Sequence, residues 1–152
     1  MAFQEHIIGG SVPCTASSSV TAVSYDANGN YSSGGIPFGT CVKLDTGGST
    51  GDVVACSAAG DHAFGVACED PAAGPSEAVK VQRLGVAKCL AGGAVSLGDL
   101  VYVTDTSGRV GTAPAAGASD KWIVGTALEA ATAAGDLISV ALAVDSATNV
   151  NA

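Results

Sequence analysis

The chain has 152 residues, a size typical of one domain, and Gly alone accounts for 21 of them. Only 13% of the residues are charged, and 14 acids against 6 bases leave a net charge of −8. This balance argues against binding to nucleic acids or to anionic membranes, because both partners require clustered Lys and Arg.

The first 35 residues lack a strong alternation of apolar and polar side chains and are rich in Ser, Gly and Asn. We therefore predict an extended arm over residues 1–35 that becomes ordered by docking on a partner. Its few large apolar residues are the candidate contacts: Phe3, Ile7, Ile8 and Pro13. An edge strand of the following domain is the alternative for these four residues. The segment lacks the basic region of a signal peptide, and it is too polar for a membrane span.

Two similar segments of about 50 residues follow, over residues 36–85 and 95–144. Each begins with an apolar residue and a glycine, continues with a short apolar strand and an Asp-Thr turn, and ends on a strand of alternating residues. Short apolar runs recur between clusters of Gly, Asp, Ser and Pro, a pattern typical of strands. The sequence therefore indicates a duplicated all-β unit.

The best helix candidate lies at residues 126–134, but the matching stretch of the first segment contains Pro71 and Pro75, so we predict a loop there. A unit of three or four strands is too small to bury its own apolar face, and the two units must pack on each other. We predict a small β-barrel or sandwich with pseudo-two-fold symmetry over residues 36–144. A flexible tail over residues 145–152 completes the predicted organisation.

The cysteines are odd in number, and no pair has the C-x-x-C spacing of a zinc site or redox motif. We predict buried, reduced thiols that act as small apolar residues, in keeping with folding in a reducing cytoplasm. We expect neither a metal nor a cofactor. The residues concerned are Cys14, Cys41, Cys56, Cys68 and Cys89.

One motif is similar to a catalytic loop. Residues 45–47 read Asp-Thr-Gly, as in aspartic proteases, where two such loops bring together two carboxyl groups that share a proton. The second segment reads Asp-Thr-Ser-Gly over residues 105–108, and alignment places Asp45 opposite Thr104 rather than Asp105. Neither histidine is placed for a catalytic triad. We therefore expect no catalytic residues and no enzyme activity, and an aspartic protease is kept only as a remote alternative.

The order of elements over residues 36–144 resembles that of the decoration, or cement, proteins of tailed-bacteriophage capsids. The matching strings of the second segment are Gly-Asp-Leu-Val-Tyr at 98–102, Gly-Arg-Val at 108–110, Val-Gly-Thr-Ala-Leu-Glu-Ala-Ala at 124–131 and Asp-Leu-Ile-Ser-Val at 136–140. The first segment shows the same order more loosely. The long N-terminal segment has no counterpart in the family pattern.

The resemblance implies a structural protein that forms homotrimers on the capsid exterior, binds the assembled major capsid protein and resists internal DNA pressure. Such a protein is made in the host cytoplasm and ends on the outside of the virion. An acidic chain suits a position away from DNA, and an arm can add a strand to an exposed sheet edge. The alternative from another class is a β-rich adhesin or carbohydrate-binding module, although 5% aromatic residues provide few stacking platforms for sugars.

Overall fold

The computed structural model describes residues 10–114 and 121–147, and in this part of the chain the regular elements are all strands. In chain order they are β1 (Ser11–Ala16), β2 (Ser24–Tyr25), β3 (Tyr31–Ser33), β4 (Cys41–Leu44), β5 (Asp52–Ala55), β6 (Gly65–Ala67), β7 (Ala78–Gln82), β8 (Val86–Leu90), β9 (Leu100–Val103), β10 (Val110–Thr112), β11 (Trp122–Ala127) and β12 (Leu137–Ala147). The predicted all-β barrel fold is confirmed. No helix of the described residues has the length and apolar character needed to cross a membrane.

The first sheet is a closed barrel with the strand order β1-β5-β4-β6-β7. Strand β1 closes it, because β1 pairs antiparallel with β7 and parallel with β5. Alternate residues of paired strands point inward, so that Cys14 and Ala16 of β1 join Val79 and Val81 of β7 in the core. Small side chains suit this interior because five short strands enclose little space.

The second sheet has the order β10-β9-β11-β12-β8. Strands β8, β9, β10, β11 and β12 correspond to β1, β4, β5, β6 and β7. The neighbours are the same as in the first barrel, but β8 is written at the end of the order, next to β12. A single parallel bridge joins Ala91, just after β8, to Val110 in β10. It corresponds to the pairing of Ala16 with Val53 in the first barrel. The duplicated unit therefore has five strands. It is one strand longer at its N-terminal end than the segments predicted at residues 36–85 and 95–144.

The structure also corrects the predicted arm over residues 1–35. Residues 11–16 are strand β1, so they belong to the wall of the barrel. Residues 17–35 connect β1 to the rest of the unit and carry the β2–β3 hairpin, and Val20 packs on the barrel core. Residues 1–9 lie outside the described part of the chain. Part of the described segment thus packs on its own barrel, through β1 and Val20, while the β2–β3 hairpin is exposed.

The predicted tail over residues 145–152 needs a similar correction. Strand β12 continues to Ala147 and pairs with β11 up to that residue. Residues 148–152 lie outside the described residues. Of the loop predicted for residues 126–134, the first two residues belong to β11, and residues 128–134 contain no helix.

The two sheets pack through a backbone segment of the first barrel, residues 39–41. The Leu90 N–H donates to the Gly39 carbonyl at 2.9 Å, and the Cys41 N–H donates to the Gly108 carbonyl at 2.9 Å. Leu90 and Gly108 flank the gap between β8 and β10, so this segment fills the opening of the second sheet. Four side chains of the first unit enter the same hydrophobic cluster as the interior of the second sheet: Cys41, Cys56, Ala63 and Val66. The duplicated units therefore form two fused barrels rather than one shared barrel: the first is closed by its own strands, and the second is an open five-stranded sheet that residues 39–41 complete.

Candidate interaction surfaces

The four residues predicted to contact a partner fall in two places. Phe3, Ile7 and Ile8 lie outside the described residues. Pro13 lies in β1 opposite Lys80 of β7, and its side chain is exposed. Pro13 is therefore on the outer wall of the first barrel, while the next residue, Cys14, points into the core.

The two Asp-Thr loops hold their carboxyl groups with separate partners. Asp45 accepts hydrogen bonds from the Ser17 hydroxyl and from the Gly47 N–H, and these bonds hold its pKa below the usual range. Asp105 accepts a bond from the Arg109 guanidinium at 2.7 Å. A pair of carboxyls that share a proton has one strongly raised pKa. The lowered pKa of Asp45 and these local bonds instead describe carboxylates that stabilise hairpin turns.

The cysteines are all free thiols, and four of the five are buried. A hydrogen bond with Cys89 and burial raise the pKa of Cys41, so two thiols from different sheets meet at the junction. Burial raises the pKa of Cys56 to about 12. The raised pKa values keep the Cys41 and Cys56 thiols neutral at physiological pH, and both side chains fill the contact between the barrels as small apolar groups.

A cluster of charged and aromatic side chains lies on the seam between the two units. The Arg83 Nε donates to the Phe64 carbonyl at 2.8 Å, and the guanidinium lies 4.3 Å from the centre of the Phe64 ring. The same guanidinium binds both carboxylate oxygens of Asp145 at 3.1 and 3.2 Å. Arg83 thus ties the end of the first barrel to β12 of the second.

His62 and Trp122 extend this cluster. Their rings stack with a centroid distance of 3.8 Å and an interplanar angle of 13°, and the His62 Nε2 lies 3.4 Å from an Asp145 oxygen. Asp145 is highly exposed, so its ion pair with Arg83 contributes only about 0–1 kcal/mol. The polar side chains of the cluster contact one another, since Arg83 and His62 both lie against Asp145. Its clearest role is to fix the angle between the barrels at their solvent edge.

No sequence signal pointed to this cluster, because Arg83 and Asp145 lie 62 positions apart and neither belongs to a motif. Clefts of about 390 and 350 Å³ open on either side of it. The larger cleft is lined by Val12, Leu84 and Leu142 and by Gly10, the first described residue. It is therefore an apolar recess next to the point where residues 1–9 join the barrel.

A row of outward side chains crosses four strands of the second sheet. Leu100 in β9 pairs with Thr126 in β11, which pairs with Ala141 in β12, which pairs with Val86 in β8. Leu128 lies two residues beyond Thr126 and follows it on the same face. The Gly98 N–H donates to the Ala127 carbonyl, which places Leu97 beside this end of the row.

We call Leu97, Leu100, Thr126 and Leu128 the leucine face. Its three leucines are 70%, 49% and 45% exposed. Alternation along each strand predicts that these residues point outward, but it does not predict that they remain uncovered. A contiguous exposed apolar patch is typical of a site of protein contact.

Several turn carboxylates accept hydrogen bonds that lower their pKa values. Asp136 accepts the N–H groups of Thr132 and Ala133 at 2.9 and 3.1 Å, which hold its pKa below the usual range. The Lys88 ammonium and the Ser139 N–H lower the pKa of Glu129 in the same way. Further examples are Asp26, Asp45 and Asp99. The folded state therefore favours the ionised form at many turns.

This pattern makes the protein sensitive to acid. A carboxyl with a lower pKa in the folded than in the unfolded state stabilises the fold above its unfolded pKa, and this stabilisation is lost as the pH falls through the folded pKa. We expect the free energy of unfolding to change little from about pH 7 to pH 5 and to fall steadily below about pH 4. Urea unfolding at a series of pH values measures this. Asp136→Asn should flatten the acidic slope, and a stability that rises on acidification would contradict the expectation.

Residues 38–142 match the sequence model of the family described as phage cement protein. That match covers well over half of the chain. The chain belongs to the phage cement protein family, and the resemblance noted in the sequence is confirmed.

A solved structure shares the fold. The chain is similar to the N base of the head fiber gp8.5 of bacteriophage phi29, with a TM-score of 0.56 and 16% identity. The match covers 88% of this chain and 94% of that one. At this identity the similarity shows a common fold alone. No curated protein sequence matches the chain. The family makes the chain a structural protein of phages.

Proposed function

We propose that the chain is a capsid decoration protein that binds the outer surface of an assembled phage head and stabilises it against internal DNA pressure. Its partner is the major capsid protein, it acts as a homotrimer on the virion exterior, and it is made in the host cytoplasm. The observation that carries this proposal is the family match over residues 38–142, which includes strands of both barrels. The two-barrel fold supports it, since a compact body suits a protein that grips a lattice.

Binding explains stabilisation through mass action. A protein that binds the assembled lattice but not its separated subunits stabilises the lattice by RT ln(1 + [L]/Kd) per site, about 2.7 kcal/mol when the free concentration is a hundred times Kd. Many copies contribute to the same shell, and in a trimer three modest contacts act together. The net charge of −8 favours a position outside the shell, away from the packaged DNA.

The N-terminal residues Phe3, Ile7, Ile8 and Pro13 are proposed as an additional contact with the capsid, and Pro13 is exposed on the barrel wall. Support comes from the chain order. The segment joins the barrel at Gly10, beside an apolar cleft that also includes Val12 and Leu84. Large apolar side chains in a segment otherwise rich in polar and small residues suit contact with a partner.

The test uses heads of the parent phage that lack this protein. Purified protein is added to them, and binding is measured by co-sedimentation. We expect saturable binding, a higher temperature of DNA release, and a trimer by light scattering. Bovine serum albumin added to the same heads controls for non-specific adsorption. Absence of saturable binding, or a release temperature that does not change, would reject the proposal.

A further inference from the structure

We propose that the leucine face docks this protein on the phage head, and that its partner is an apolar protein surface bordered by Lys and Arg side chains. The inference rests on the proposed function and adds the face that makes the contact. The supporting observation is the internal repeat, because the equivalent face of the first barrel packs against the second sheet.

The equivalence follows from strand register. Leu100 of β9 pairs with Thr126 of β11, just as Cys41 of β4 pairs with Val66 of β6. The next positions along the strands are paired in the same way. Val101 pairs with Gly125, just as Val42 pairs with Gly65. Leu100 and Thr126 therefore occupy the positions of Cys41 and Val66.

A second pair of positions extends the equivalence to the neighbouring strand. The Ala113 N–H donates to the Leu100 carbonyl at 2.7 Å, and the Cys56 N–H donates to the Cys41 carbonyl at 2.9 Å. Cys41, Cys56 and Val66 are all completely buried in the contact with the second sheet. In the second barrel the corresponding face has no third barrel to cover it. Leu100 is 49% exposed there.

The character of the uncovered face indicates that something else covers it. The last unit of a tandem array usually carries polar residues on its free face, which keeps the array soluble. Here Leu100 is larger and more apolar than the Cys41 that it replaces, and Leu97 and Leu128 add further apolar surface. The face thus retains the properties of an interface at the position where the internal partner ends.

The charges around the face select the kind of partner. Asp99 lies within it, between Leu97 and Leu100, and Glu129 follows Leu128. The neighbouring cation Lys88 is bound to Glu129 at 2.7 Å. A second copy of this chain would bring a second Asp99 and a net charge of −8, which disfavours contact between two such faces. A surface with Lys and Arg around an apolar centre is complementary to it.

The experiment compares Leu100→Glu and Leu128→Glu with Leu44→Glu, whose parent leucine is also 49% exposed but lies on β4 of the first barrel. Binding to heads that lack the protein is measured for each variant at low and high ionic strength. We expect each leucine-face variant to bind about 100-fold more weakly and Leu44→Glu to bind as the wild type does. Raising the ionic strength should weaken wild-type binding. Circular dichroism and the unfolding midpoint establish that each variant is folded, and Leu128→Glu, in a loop, serves if Leu100→Glu does not fold.

The outcomes separate the two proposals. If the wild type does not bind heads, the proposed function fails. If the wild type binds and both leucine-face variants bind equally well, the docking face is wrong while the function stands. If the variants lose binding because light scattering shows that they no longer form the wild-type oligomer, the face joins copies of this chain, and the inference is overturned. Wild-type binding that does not depend on salt would overturn the basic partner.

Discussion

Replacing Gly125 with Ala should lower the free energy of unfolding by about 3 kcal/mol, at the upper end of what overpacking usually costs. Gly125 lies in β11, between β9 and β12. A Cβ atom there would overlap the carbonyl oxygen of Ala141 and would lie 2.8 Å from a methyl carbon of Val140. The obstructing atom is strand backbone, so relief requires β11 and β12 to separate.

Chemical denaturation followed by circular dichroism measures this effect. Gly93→Ala is the matched control, because a Cβ at Gly93 would have no atom within 4 Å. Gly65 occupies the same position in the first barrel, where a Cβ would lie 2.5 Å from the Gln82 carbonyl oxygen. Gly65→Ala should therefore be comparably harmful. Equal unfolding midpoints for Gly125→Ala and Gly93→Ala would show that the strands separate without cost.

Removing residues 1–16 should abolish cooperative folding of the first barrel, whereas removing residues 1–9 should leave it intact. The longer deletion takes away β1, which pairs with both β5 and β7. It also takes Cys14 and Ala16 out of the core. Two strand edges and part of the apolar interior would then meet water, which is a larger loss than a small barrel tolerates.

Thermal unfolding and amide NMR spectra distinguish the two deletions, with the full chain as reference. The shorter deletion also tests the proposed role of Phe3, Ile7 and Ile8, because it removes these residues and leaves every strand of the barrel in the chain. We expect it to weaken binding to heads while the unfolding midpoint stays unchanged. A deletion of residues 1–20 would also remove β1, so a loss of binding would not be distinguishable from a loss of folding. If the protein without residues 1–16 melted as the full chain does, β1 would not be the strand that closes the barrel.

The duplication could be predicted from the sequence because both copies need the same residues at the same turns. Gly39 and Gly98 precede the equivalent strands β4 and β9. Their φ angles are positive, 84° and 88°, a conformation that favours glycine. The first strand of each unit was missed. Between β1 and β8 only the Cys at 14 and 89 and the Ala at 16 and 91 are identical, and a much longer connection follows β1 than β8.

The exposed face could not be predicted in the same way. Periodicity assigns a residue to the inside or outside of a strand, and it does so correctly for Cys41 and Leu100 alike. Whether an outward residue is then covered depends on where the neighbouring barrel packs. Cys41 is completely buried, whereas the equivalent Leu100 is 49% exposed. Contacts between distant units, such as those of Arg83 with Asp145, escape sequence reasoning for the same reason.

The gap between β8 and β10 gives the two halves unequal independence. The first barrel closes with its own strands, whereas the second is completed by residues 39–41 of the first. During synthesis the N-terminal half leaves the ribosome first and can close before the rest of the chain emerges. The order in which the two halves can close is therefore the order in which they are synthesised.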